Sequence, residues 1–127
     1  MQQPTTQHTD VSEHSRNLVT HHLESFKIND LNALMSDYTE QSVFITQQKT
    51  YVGLSEIRSF FVGLIAHFPP IGTSFTLDHM EVKEELAFIV WHGQTPSLHV
   101  PFGSDTFIIN EGKIKQQTFV GELNFIK

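Results

Sequence analysis

Few side chains in this 127-residue chain are of a type and in a place to do chemistry. Asp105 is the first. It lies in the run Gly103 to Val120, which reads as two strands joined by a tight turn at Asn110-Glu111-Gly112, with Gly112 supplying the positive φ that a short hairpin needs. Alternation puts Asp105 on the strand face of Phe107 and Ile109. If that face looks inward, an ionised carboxylate there is costly unless paired. Burial also raises an Asp pKa toward the range in which proton transfer works at physiological pH. A carboxylate bonded to a hydroxyl, an imidazole or backbone N–H groups fits the same pattern without catalysing anything, so both readings stand. His22 is the second candidate. It sits inside the apolar stripe Leu18, Val19, Leu23 and Phe26 of a first helix, where a histidine is more often a satisfied core residue than a catalyst.

Other chemistries have less support. His79, His92 and His99 fall on consecutive strands and could share a face, but a metal needs ligands converging to about 2 Å and no close-spaced ligand pair is present. No metal site is therefore expected. There is no cysteine, which removes thiol and disulfide chemistry. The net charge of −6 and the lack of a Lys/Arg cluster argue against a nucleic-acid or anionic-membrane surface. No apolar run has the length of a signal peptide or a membrane span, so the default location is cytoplasmic.

The elements that must position these groups form an α+β order within one domain. Residues 1–10 read as a flexible tail, with Asp10 and Glu13 as a capping pair opening helix one, which runs to about Lys27. A second helix runs from Leu31 to about Thr39, with Tyr38 on its inner face. A strand over Ser42–Thr46, a polar turn and a short return over Thr50–Val52 follow. Helix three, from about Leu54 to His67, carries so many apolar residues that it is expected to be well buried, and Pro69-Pro70 ends it. Four long strands complete the domain: Thr73–Val82, Leu86–Gln94, Leu98–Ile109 and Lys113–Phe125. Their short links make them antiparallel neighbours. Such a sheet can curl round the helices and leave a pocket between helix one and its concave face.

This order, with particular words in it, resembles the SnoaL-like branch of the nuclear transport factor 2-like superfamily, which includes ketosteroid isomerases. The words are His22-Leu23-Glu24-Ser25-Phe26, Asp30 to Met35, Tyr38 to Phe44, Gly53 to Phe61, the Asp105-Thr106-Phe107 strand and the Gly112-Lys113-Ile114 turn. The resemblance covers about Ser12 to Leu123. It implies a cone-shaped, cystatin-like barrel, three N-terminal helices in the concave face of a curved antiparallel sheet, and often a homodimer through the outer sheet face.

In the resembled isomerases a first-strand carboxylate is the base, while a helix-one tyrosine and a protonated late-strand aspartic acid hold the enolate oxygen. On this chain the late-strand acid matches Asp105, the tyrosine falls at His22, and the base falls at or near Thr46. Threonine cannot take up a proton near neutral pH, and no Asp or Glu occurs between Gln41 and Leu54, so the usual base is missing. The resemblance then implies a pocket protein for an apolar, oxygenated small molecule. If it is an enzyme, the reaction is cofactor-free proton transfer next to a carbonyl, of the isomerase or aldol-cyclase type, with Asp105 carrying the proton and His22 orienting or polarising. Thr46, Tyr51, Phe61, Trp91, Phe107 and Phe119 are the expected ligand-binding residues, with Phe60, Leu64 and Phe102 as further wall. Trp91 fits a pocket wall or an outer-face interface equally. The competing expectation is a non-catalytic binding or dimerisation module of the same fold.

Overall fold

Helix α1 spans Pro4–Lys27 in the structure, a computed structural model that describes residues 4–126. It starts earlier than the expected Asp10 cap. Proline suits the first helical turn, where its missing N–H has no partner to lose, so the helix passes through Asp10 uncapped. Of the tail expected over residues 1–10, residues 1–3 lie outside the described residues. One stripe of α1 is buried, with Ser15, Val19, His22, Ser25 and Phe26 along it. Ser15 Oγ donates to the Glu84 carbonyl at 2.6 Å and Ser12 Oγ accepts the Glu84 N–H at 2.8 Å, fixing the helix to a sheet turn.

Helix α2 covers Leu31–Met35, with Asp30 as its cap: Oδ1 accepts the Ala33 N–H at 3.0 Å. It stops short of the expected Thr39. The Asp37 and Tyr38 N–H groups reach back three residues, to Leu34 O and Met35 O, and this tighter winding ends the helix. Helix α3, Gly53–Ile65, opens on Gly53 at φ +84°, where a Cβ would stand 3.3 Å from the Glu40 carbonyl oxygen. Only one of its faces is buried, through Ile57 and Phe61, while Val62 is about half exposed, so the expectation of a well-buried helix fails. Its surplus apolar residues cover the sheet at the margins of that face instead, with Phe60, Leu64 and Ile65 half-buried against the core.

The strands are β1 (Val43–Ile45), β2 (Thr50–Val52), β3 (Ser74–Lys83), β4 (Leu86–Gln94), β5 (Leu98–Asn110) and β6 (Lys113–Phe125). They form one sheet in the order β2-β1-β6-β5-β4-β3. The meander is antiparallel as expected, and the β5–β6 turn has both Glu111 (φ +54°) and Gly112 (φ +73°) in the left-handed region. The sheet as a whole is mixed, because β1 runs parallel to β6. Short links dictate antiparallel pairing only between consecutive strands, and β1 meets β6 across most of the chain. Register shifts at Leu77/His79, Trp91/Gly93, His99/Phe102 and Ile108/Ile109 add the local twist that curves the sheet into an open cone round the helices.

Phe44, Ile57, Ile89, Phe107 and Ile114, none more than 1 % exposed, are the centre of the core between helices and concave face. Each buried side chain of this size contributes roughly 1.5–3 kcal/mol. No helix of the described residues is long and apolar enough to cross a membrane.

Candidate functional site

Asp105 points inward from β5, paired across the ladders with Ile89 on β4 and Phe119 on β6. It is 8 % exposed and borders a cavity between α1, α3 and the concave face. Its oxygens have separate partners: Trp91 Nε1–H donates to Oδ1 at 2.9 Å and Gln117 Nε2 to Oδ2 at 2.8 Å. Burial raises the Asp105 pKa from 3.8 to about 6, against the opposing pull of those two donors and, less, of His22. A carboxylate accepts about four hydrogen bonds, so each oxygen keeps acceptor capacity beyond its protein donor.

The Trp91 indole is held by its surroundings. It stacks between Phe75 (centroids 5.1 Å apart) and Phe119 (6.0 Å), and its ring lies over Gly103, where a Cβ would come within 2.6 Å of it. Of the two roles the sequence left open for Trp91, the structure shows the pocket wall.

Gln117 is held from the other side. Tyr38 donates its phenolic proton to Gln117 Oε1, which turns the amide nitrogen toward Asp105. Tyr38 sits just beyond α2, and that exit is stitched to β6: Ile114 N donates to Asp37 O and Lys113 Nζ to Ser36 O, each at 2.7 Å. The Tyr38 pKa is raised well above its usual value, first by burial and then by the charges of Asp105 and Asp37, which keeps it a donor. Its oxygen is 3.3 Å from His22 Nε2. On the other side of the ring, His22 Nδ1 is 3.5 Å from Asp37 Oδ2, an ion-pair distance without hydrogen-bond geometry, and Asp37 also holds the half-exposed His21 at 3.0 Å. A polar chain thus runs from Trp91 through Asp105, Gln117, Tyr38 and His22 to Asp37.

The expected site residues divide accordingly. Asp105, His22, Phe61, Trp91, Phe107 and Phe119 all border the cavity. No hydrogen bond joins Asp105 to His22 among the described residues; Tyr38 and Gln117 stand between them. Thr46 is not in the wall: β1 ends at Ile45, and Thr46 turns away to bond Lys49 O and the N–H groups of Gln48 and Lys49 in the β1–β2 turn. Phe44 is the first-strand residue that reaches the cavity. Tyr51 lies one layer back, packed on Phe44 and Phe60. Phe102 is half exposed on the opposite face, because it lies three positions from the inward Asp105 on an unbroken stretch of β5 and alternation turns it outward. His92 bonds Asp78 at 2.7 Å and His79 lies 3.6 Å from Glu81, each with its own surface carboxylate, and no metal-holding cluster occurs among the described residues.

The cavity has a volume of about 50 Å³, room for a few water molecules and less than a ring requires. Its wall is aromatic and aliphatic apart from His22, Asp105 and Gln117, and Asp105 is its one carboxylate.

The model of the SnoaL-like domain family matches residues 19–117. No curated protein matches the chain. Among solved structures, a nuclear transport factor 2-like protein of unknown function from Mesorhizobium loti is 18% identical, with 87% of this chain and 93% of that one covered at a TM-score of 0.74. A candidate ketosteroid isomerase from Kribbella flavida is 12% identical, covering 91% and 83%, TM-score 0.72. A candidate SnoaL-like polyketide cyclase from Shewanella putrefaciens is 11% identical, covering 84% and 79%, TM-score 0.69. Identities this low speak to the fold alone.

Proposed function

The chain belongs to the SnoaL-like domain family, and from that premise we propose that its cavity binds an apolar carbonyl compound and that Asp105 moves a proton on the carbon beside the carbonyl. The observation that carries this reading is a lone buried carboxyl with a pKa of about 6 facing an apolar cavity. At neutral pH such a group is mostly ionised and still exchanges its proton readily, the condition for general acid–base work. With no first-strand carboxylate, one group must serve in both directions. Asp105 takes the proton from the α-carbon as the C–H bond breaks and the enolate forms, then returns it to carbon or to the enolate oxygen. Trp91 and Gln117 leave that proton the cavity-facing lone pairs, since both protein-facing sites already accept N–H donors. His22 acts at one remove, holding Tyr38 and through it Gln117. No cofactor enters this scheme.

Proton exchange tests it directly. A small aliphatic ketone such as acetone, in deuterated buffer with the protein, should lose its α-proton NMR signal at a rate that rises with pH through about 6. Asp105→Asn should lower that rate a hundredfold or more. A rate equal to that of buffer alone would end the catalytic reading.

The second reading is a non-catalytic module that pairs with a second copy through the sheet. Phe88, Ile108 and Val120, between 37 % and 46 % exposed on the face turned away from the cavity, favour it. Sedimentation equilibrium decides the pairing: a monomer at micromolar concentration rejects it.

A further inference from the structure

The cavity at Asp105 is too small for a ring, yet it has a neighbour. Beneath the loop between α3 and β3 lies a second space of about 130 Å³, and Phe26, Phe68 and Phe75 line both. These three aromatic side chains are the wall that the two spaces share. Phe26 and Phe68 pack edge to face at 5.0 Å, and Asn29, once its amide is assigned with the nitrogen toward the two carbonyls, donates to Phe26 O at 3.1 Å and Phe68 O at 3.0 Å. Phe75 is less confined. It is half-buried, it sits on the edge strand β3, and it stacks on the indole that holds Asp105.

One polar atom beside the second space is out of place. Thr73 is part of its wall, and Thr73 Oγ1 is buried with no hydrogen-bond partner among the described residues. A buried hydroxyl without a partner costs about 1–3 kcal/mol, so such groups call for an explanation.

We propose that the two spaces are halves of one ligand site, joined when Phe75 swings aside, and that Thr73 binds a second oxygen at the far end of the ligand. The ligand class is then narrower than an apolar ketone. It is a ring-sized molecule with its carbonyl at Asp105, an apolar body along Phe68 and Phe75, and a hydroxyl or carbonyl oxygen at Thr73. This rests on the proposed function for its Asp105 end and extends it by a second polar anchor. Discrimination of this kind is strong when a site is built to bond an oxygen, because the analogue lacking it leaves a buried group unpaired.

The test uses acetylnaphthalene and its ring-hydroxylated analogue, with binding measured by calorimetry on the intact protein. The hydroxylated ketone should bind about tenfold more tightly than the plain one. Thr73→Val should erase that preference and Thr73→Ser should keep it. Phe75→Leu, which shortens the divider but keeps an apolar wall against Trp91, should tighten both ketones. Equal affinities in the unsubstituted protein, with both ketones bound, would overturn the second anchor and leave the Asp105 end standing. Failure of either ketone to bind at all would overturn the joined site, and proton exchange on a small aliphatic ketone would then judge the Asp105 reading separately.

Discussion

Replacing Asp105 with asparagine should make the protein more stable near neutral pH while removing its proton carrier. The magnitude follows from the shift of the carboxyl from 3.8 to about 6. The folded state holds this proton more tightly than the unfolded chain does. Its stabilising contribution is therefore complete below pH 3.8 and is lost as pH rises through about 6. Near pH 8 the folded protein carries a buried carboxylate at a penalty of about 3 kcal/mol relative to the protonated form. An asparagine side chain carries no such charge, and the polar chain can accommodate it by reversing. In Asp105→Asn the amide oxygen still accepts from Trp91, and the amide nitrogen donates to a turned Gln117. Gln117 donates in turn to the Tyr38 oxygen, and Tyr38 to His22 Nε2, leaving His22 Nδ1–H to face Asp37. Urea unfolding near pH 8 should therefore show Asp105→Asn more stable by up to about 3 kcal/mol. The gap should fall to roughly half near pH 5 and nearly close near pH 4. A variant that is less stable, by an amount that does not change with pH, would refute the reasoning. Asp105 would then be a well-paired structural ion, and the catalytic reading would lose its basis.

Three further outcomes follow from the same geometry. Gln117→Leu removes one of the donors that hold the carboxyl down and strands the Tyr38 hydroxyl; the Asp105 titration, followed by carboxyl-carbon NMR, should move upward, with about 1–3 kcal/mol lost in urea unfolding. Gly103→Ala puts a methyl group within 2.6 Å of the Trp91 ring; the indole must leave Asp105, which a shift in the emission of the chain's single tryptophan and a loss of ketone exchange would report. Phe107→Ala empties a fully buried site beside His22 and should cost about 3–5 kcal/mol, read as a fall in the urea midpoint at unchanged slope.

What the sequence discloses and what it hides have a common physical origin. Periodicity locates Asp105, Phe107 and the inner faces of the helices because each depends on residues only a few positions away. The hairpin at Asn110-Glu111-Gly112 is legible for the same reason. Thr46 misleads because matching the resembled family's first-strand base by counting assumes that the strand continues, and β1 stops one residue earlier. Gln117 is hidden by a register shift. Ile108 pairs with Gln116 but Ile109 with Ile114, so Lys115 is an extra residue on β6. Counting by twos from the buried Ile114 would therefore turn Gln116 inward, whereas Gln117 is the buried one. Phe119, two positions on, was the available clue to the true phase. Tyr38 is read correctly as an inner-face residue, but its partner lies 79 positions away and is set by how the α2 exit meets the start of β6.

The missing first-strand base and the polar chain bear on each other. A second carboxylate in so small a cavity would raise the pKa of Asp105 further and leave two groups competing for one proton. With Phe44 on the first strand, Asp105 is the only carboxylate in the wall, and its proton affinity is set by burial against two fixed donors. Those donors are oriented from opposite directions, Trp91 by Phe75, Phe119 and the bare Gly103, and Gln117 by Tyr38. The protein has thus arranged buried polar groups that come from five elements or their exits, α1, α2, β4, β5 and β6, around one ionisable oxygen pair. Such an arrangement is costly to a core that needs only to pack, since the carboxyl destabilises the fold above its own pKa. An asparagine at position 105 would keep partners for Trp91 and Gln117 without that charge. An acid held there at that expense is what the proposed proton transfer requires.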